Sequence, residues 1–312
     1  MYQQIARNKR RTVVCVAMFF AVWVGIGALV GFVWAAASAS PGTTSPTGSD
    51  VLNGVAVAAA FALLGIAFSL RSGTRMVLAA SGARPADPVE YLQLHNIVEA
   101  LAIGEGVPKP AVYVIDDPSP NAFATGTSPK HAAITATTGL LKMMNREELE
   151  GVIAHELSHI KNYDVRLLLI VSTLIGMAAL LASIVWRSAF FMRRGRQSGQ
   201  LMLVVFAAGA LLAVVAVIFG PIVRFALSRQ RESLADVSGV ELTRNPEGLI
   251  RALQKLQSND KPFAKFNHAT AAMCIDDPLQ HHETWFHHLF DTHPPIAERI
   301  AVLKQVEYGK AA

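Results

Sequence analysis

The chain has 312 residues and a formal net charge of +5; 52% of it is hydrophobic and only 16% is charged, against about 25% in soluble domains. The excess of positive charge does not point to nucleic acid, because no nucleic-acid motif is present and the basic residues cluster beside apolar runs, as at Arg7, Lys9, Arg10, Arg11, Arg71 and Arg75. Two cysteines, Cys15 and Cys274, exclude a disulfide framework and read as unpaired thiols, which suits a reducing compartment for the polar part.

Four runs lack Asp, Glu, Lys and Arg: Val13–Ala37, Val51–Leu70, Leu167–Trp186 and Leu201–Val223. Each approaches or exceeds the roughly 20 residues that cross a bilayer as a helix. The first follows basic residues and ends near Ala36-Ala37-Ser38-Ala39-Ser40, which resembles a signal peptide with its cleavage site. The run is too long for a signal core of roughly 7–15 residues, so a retained anchor is expected. The next loop, Ser38–Asp50, has no Lys or Arg and is rich in Pro, Gly, Ser and Thr. The positive-inside rule then places the N-terminus in the cytoplasm and this loop outside. The second run returns the chain, leaving Arg71, Arg75 and Arg84 inside.

A polar region follows. Pro85-Ala86-Asp87-Pro88 reads as the start of a helix through about Ile103. Ala111–Ile115 is apolar and β-branched, a short strand. Asn121–Thr127 and His131–Thr137 read as two further strands around Ser128-Pro129, and Arg146–Lys161 as a helix. The third and fourth apolar runs form a hairpin. Its connection carries Arg187, Arg193, Arg194 and Arg196, which a full crossing would put outside against the positive-inside bias. Full crossing and partial entry both stay open; in either case the two ends emerge on one side. The remaining chain is mostly helical in pattern, at Ser228–Thr243, Pro246–Gln257 and Pro295–Tyr308. The expected architecture is a predominantly α integral membrane protein with a small β-sheet. It divides into an anchor (1–70), a first polar part (71–166), a membrane hairpin (167–223) and a second polar part (224–312).

His155-Glu156-Leu157-Ser158-His159 reads H-E-x-x-H within a predicted helix. Residues four apart share a helix face, so His155 and His159 present two imidazoles to one point, as tetrahedral zinc requires. Glu156 stands where its carboxylate reaches a water held by that metal. A catalytic zinc usually has three protein ligands and one open position, so a third ligand must come from elsewhere. The best candidate is Glu232, with Asp236 four residues on and able to orient a ligand histidine. Most such acidic pairs are solvated helix faces. Here, however, His159 lies just before the apolar hairpin and Glu232 just after it, so both emerge at the same membrane face.

Taken together the motifs resemble those of HtpX-type membrane zinc metalloproteases, relatives of the CAAX prenyl protease. They are Asn121-Ala122-Phe123-Ala124-Thr125-Gly126, the His155 motif continuing to Asn162 and Asp164, Arg229-x-x-Glu232-x-x-Ala235-Asp236, and His293-Pro294-Pro295 with Arg299. The resemblance covers roughly residues 85 to 305. It implies a gluzincin-type domain with one Zn2+ held by His155, His159 and Glu232 at the cytoplasmic face of the cell membrane. It also implies quality-control cleavage of damaged or misassembled membrane proteins. On the same likeness Glu156 is the general base, His293 donates to the oxyanion, and Arg299 pairs with Asp236. Asn121, Ala122, Phe123 and Ala124 face the substrate; an exposed strand edge can hold an extended peptide by backbone pairing.

Three other readings compete. An intramembrane protease of the site-2 type would bury the motif in an apolar span, but Asn145–Glu150 and Lys161–Asp164 flank it with polar residues. A scaffold that cleaves nothing is not favoured, since every chemical group is present. A transporter would need charges within its spans, which these lack. His281, His282, His287 and His288 form a His-rich stretch read as a solvated loop rather than a second metal site. Oligomeric state is not legible.

Overall fold

The computed structural model describes residues 2–38, 48–170, 229–258 and 295–307, with residue 209 alone between them. The apolar hairpin therefore lies outside the described residues, apart from residues 167–170 and 209. So do His293 and the His-rich stretch.

The first two apolar runs lie within proline-free helices, α1 (Tyr2–Ser38) and α2 (Gly48–Ala80). Within them, Asn8–Phe32 (25 residues) and Gly48–Ala80 (33 residues) are long and apolar enough to cross a membrane. At 1.5 Å per residue even the shorter exceeds a hydrocarbon core of about 30 Å. The pair packs with backbones nearly touching. A Cβ on Gly31 would lie 2.5 Å from the Asp50 carbonyl, and Gly27 and Gly54 face each other just as closely. Such small-residue contacts hold helices together where lipid removes the hydrophobic drive. Trp23 fills the seam between Phe19 and Phe61, its ring centroid 5.8 and 5.1 Å from theirs. The outward faces carry bare apolar side chains such as Val13, Leu52, Val57 and Leu64, about two-thirds exposed or more, a large patch that only an apolar surrounding satisfies.

A four-stranded mixed sheet follows, in the order β1-β2-β4-β3: β1 (Arg84–Pro85), β2 (Ala111–Ile115), β3 (Ala122–Gly126) and β4 (Ala132–Thr137). β2 and β4 run parallel, with Val112 opposite Ile134, while β1 and β3 pair antiparallel at the two ends. The helix read from Pro85 starts later than expected, as α3 (Leu92–Glu105). Pro85 pairs with Tyr113 in β1, and the Asp87 carboxylate accepts the Val89 and Glu90 N–H groups at 2.8 and 2.9 Å. That side-chain turn occupies the residues a proline-initiated helix would have used. Gly106, at φ 69°, closes α3 in the left-handed region.

Past α4 (Thr138–Met143), α5 (Arg146–Lys161) starts with a reciprocal cap: Asn145 accepts from the Glu148 N–H while Glu148 accepts from that of Asn145. Glu148 also takes Lys255 at 2.7 Å, fixing α5 to α7 (Pro246–Gln257). From Leu149 to Ile160 only Glu150 escapes burial. α5 is thus the central strut, packed against the sheet, α3, α6 (Arg229–Thr243) and α7, with α8 (Ile296–Glu307) lying over α6 and α7. Gly151 allows this: a Cβ there would meet the Leu249 backbone at 2.9 Å. A helix buried all round yet carrying Glu156, His155 and His159 must partner those polar groups internally.

Candidate metal centre

The partners come from α6. Glu232, Asp236 and Gly239 recur at i, i+4 and i+7, one face of that helix. Gly239 brings the face close, since a Cβ on it would lie 3.1 Å from the His155 backbone nitrogen. Glu232 Oε2 then stands 3.6 Å from His155 Nε2, and Oε1 stands 3.6 Å from His159 Nε2. The two imidazoles meet edge to face with their Nε2 atoms 3.2 Å apart. The ligand atoms of His155, His159 and Glu232 all lie within 4.8 Å of one another, buried, and form a group able to hold a metal ion.

The other ring nitrogens explain how the imidazoles are aimed. His155 Nδ1 lies 2.8 Å from Asp236 Oδ1, and His159 Nδ1 lies 3.0 Å from Asp164 Oδ2. A carboxylate only accepts, so each Nδ1 donates its proton, and each Nε2 is the atom left to give a lone pair to a metal. Two lone pairs 3.2 Å apart repel unless a cation or a proton lies between them. Zinc–nitrogen bonds of about 2.0–2.1 Å at a tetrahedral angle separate two donor atoms by about 3.3 Å. The donor set, two nitrogens and a carboxylate with carboxylates behind both imidazoles, therefore fits zinc in both chemistry and spacing.

Asp236 is fully buried and its charge is answered by Arg299, which is 2% exposed. Arg299 Nε donates to Oδ2 at 3.0 Å and Nη2 to Oδ1 at 2.7 Å, a two-pronged pairing. Burial alone would raise the Asp236 carboxyl, but Arg299 and His155 outweigh it and hold the group at about 2. Burial and Arg299 push His155 down, yet Asp236 and Glu232 prevail and raise it from 6.5 to about 9. Burial likewise works against the Arg299 charge, and Asp236 overcomes it, so the guanidinium is held more firmly protonated than usual. Glu156 is buried beside this cluster and adds to the field on Arg299.

The structure thus gathers His155, Glu156, His159, Glu232, Asp236 and Arg299 into one buried region. His293 lies outside the described residues. Asn121 and strand Ala122–Gly126 sit at the end of the sheet beyond β4, and among the described residues no strand lies on the other side of β3. The expected exposure of that edge needs correction: Asn121 and all five strand residues are buried, with α5 and α2 packed against the strand.

In the sequence Asp164 is only the end of a motif with no role of its own, yet it orients His159. Arg231, beside Glu232, donates Nη2 to Asp164 Oδ1 at 2.8 Å and is 4% exposed. A signal for Asp164 existed: it is an acidic residue at the doorstep of an apolar run, where a charge needs a reason.

Residues 88–307 match peptidase family M48. Among curated proteins, one named protease HtpX homolog from Streptococcus mutans is 42% identical, the match covering 98% of this chain and 100% of that protein. Another of that name, from Caldanaerobacter subterraneus, is 40% identical over 98% of each. Among solved structures, the crystal structure of S. mikatae Ste24p aligns with 97% of this chain and 67% of its own, at 18% identity and a TM-score of 0.49.

Proposed function

Because the chain belongs to peptidase family M48 and is a metalloprotease, we propose that it is a zinc-dependent endopeptidase anchored in the cell membrane. In this reading it cleaves damaged or misassembled membrane proteins at the cytoplasmic face. The observation that carries the proposal is the buried group of His155, His159 and Glu232, with each imidazole fixed by its own carboxylate.

His155, His159 and Glu232 would hold zinc, which when bound acidifies a water and polarises the scissile carbonyl. Glu156 accepts the proton of the attacking water and returns it to the departing amine, which cannot leave unprotonated. His293 donates to the oxygen that gains charge as the carbonyl becomes tetrahedral. Asn121, Ala122, Phe123 and Ala124 are buried, but no strand among the described residues lies on the side of β3 away from β4, and there the substrate would pair as an added strand. Asp236 and Asp164 keep both imidazoles in the Nδ1–H form, and Arg299 keeps Asp236 charged. Burial excludes bulk water and strengthens each of these interactions.

Residues 1–70 would act as the anchor and 167–223 as a membrane hairpin. The parts at 71–166 and 224–312 would form the protease domain between and after them. In this reading the four apolar runs supply the membrane helices, by length alone for the hairpin whose arginine-rich connection opposes a full crossing, and the basic residues before the first run put the N-terminus in the cytoplasm. The lipid bilayer and loosely folded membrane proteins are then the natural partners, since an added strand needs an unfolded segment.

Cleavage of casein by the detergent-purified chain, with added zinc or with chelator, tests the proposal. Zinc-dependent cleavage that chelator abolishes supports it. A chain that retains one zinc yet leaves casein intact speaks for a scaffold.

Metal uptake should also depend on pH. His155 without metal holds a proton up to about pH 9, and zinc must displace that proton. Below pH 9 the apparent zinc affinity should therefore rise with pH, by about tenfold per unit between pH 6 and 8. Chelator competition at pH 6, 7 and 8 measures this. A flat profile would show that His155 is already neutral.

A further inference from the structure

Asn8 is a buried amide on the anchor helix α1, 2% exposed, at the first residue of the apolar span. A polar side chain there carries a desolvation cost and calls for a partner. Its partners lie more than 150 residues away: Nδ2 donates to the Asn162 carbonyl at 2.8 Å and to Asp164 Oδ1 at 2.5 Å. Both are acceptors, so the orientation of the amide is fixed. Asp164 holds His159 with its other oxygen, and Arg231 shares the first. One carboxylate thus gathers donors from α1, α5 and α6.

The turn that delivers Asp164 is itself under tension. Tyr163 has φ 61°, a conformation uncommon for a bulky residue. Such strain persists only where surrounding contacts impose it. Here α1 supplies those contacts through successive residues. Asn8 binds the backbone before Tyr163 and the carboxylate after it, while the Lys9 ammonium sits 4.6 Å above the Tyr163 ring.

We propose that Asn8 is a positioning residue of the metal centre. By bonding Asp164 it fixes the carboxylate that aims His159, so the membrane anchor sets the metal affinity as well as the location of the enzyme. This rests on the reading of His155, His159 and Glu232 as zinc ligands. A carboxylate that loses one of three donors is held less firmly, and His159 then presents Nε2 to the metal less of the time. Any displacement of the first turns of α1 would reach the site by the same two bonds.

The test uses the full chain in detergent. Zinc affinity is measured by competition with a chromogenic chelator, and ligand geometry by the absorption bands of the cobalt(II)-loaded protein. Asn8→Leu should weaken zinc binding by about tenfold, the scale seen when groups behind a metal ligand are removed, and should shift the cobalt bands. Asn8→Ala, which removes the donor without adding bulk, should weaken it about as much and serves if Asn8→Leu fails to fold. Lys9→Ala, which touches the same turn but not Asp164, should bind zinc like the wild type. Unchanged affinity and spectra in folded Asn8 variants overturn the proposal. Equal weakening in Lys9→Ala also overturns it, since docking of the turn would then be the cause. A wild-type chain that binds no zinc would instead remove the ligand reading itself, and this inference with it.

Discussion

Replacing Glu156 by Gln should abolish peptide cleavage while leaving one zinc per chain. Glu156 lies outside the group that converges on a metal, and its neighbour His155 is held by Asp236 rather than by Glu156. An amide of the same shape keeps the helix and its packing but cannot take a proton. Loss of a positioned acid–base group typically costs 10²–10⁴-fold in rate, so activity should drop by about three orders of magnitude. Zinc quantified in the purified variant, beside the initial rate on casein, decides the matter. Loss of metal together with activity would give Glu156 a structural role. Glu232→Gln supplies the contrast: it removes a charged donor from the metal group, so zinc and activity should fall together.

Sequence reasoning reached this site because its main parts are local. H-E-x-x-H and Glu232-x-x-x-Asp236 are each written within about one helical turn, and a 3.6-residue period suffices to put each pair on one face. The parts it missed depend on where separate elements cross. Asp164 becomes the partner of His159 only because the chain turns sharply at Tyr163, and Asn8 and Arg231 reach it from helices far away in sequence. Gly151 and Gly239 look like weak points in two helices until their neighbours are in place. Elsewhere local signals competed. Pro85 and Pro88 suit a helix start, but Pro85 is drawn into the sheet and Asp87 caps a turn instead. The Asn121–Gly126 strand, with its small residues, suggested an exposed edge. Among the described residues it is the end strand, and α5 and α2 packed against it bury it all the same.

The two halves of the site also bear different loads. His159 is held by a network that includes α1, His155 by Asp236 with Arg299 behind it. The His155 side depends on one arginine. Arg299 and Asp236 are both buried, so neither charge can turn to water when the other is lost.

Arg299→Leu should therefore be among the most damaging substitutions outside the metal donors. It strands the Asp236 carboxylate, which burial alone would drive toward protonation. Breaking a buried ion pair from one side typically costs about 3–5 kcal/mol. The variant should melt well below the wild type in detergent. Its zinc affinity should also fall, because a protonated Asp236 no longer draws the His155 Nδ1 proton and no longer raises the basicity of Nε2. The double change Asp236→Asn with Arg299→Leu separates the two effects. With no charge left to strand, the melting temperature should recover in large part. Zinc affinity should not, since an amide is a weaker acceptor for His155 than a carboxylate. If the double variant melts as low as Arg299→Leu alone, the arginine stabilises the fold through its packing against α6 and not through its charge. If both variants bind zinc like the wild type, Asp236 does not tune His155, and the paired-carboxylate account of the donor set would have to rest on Asp164 alone.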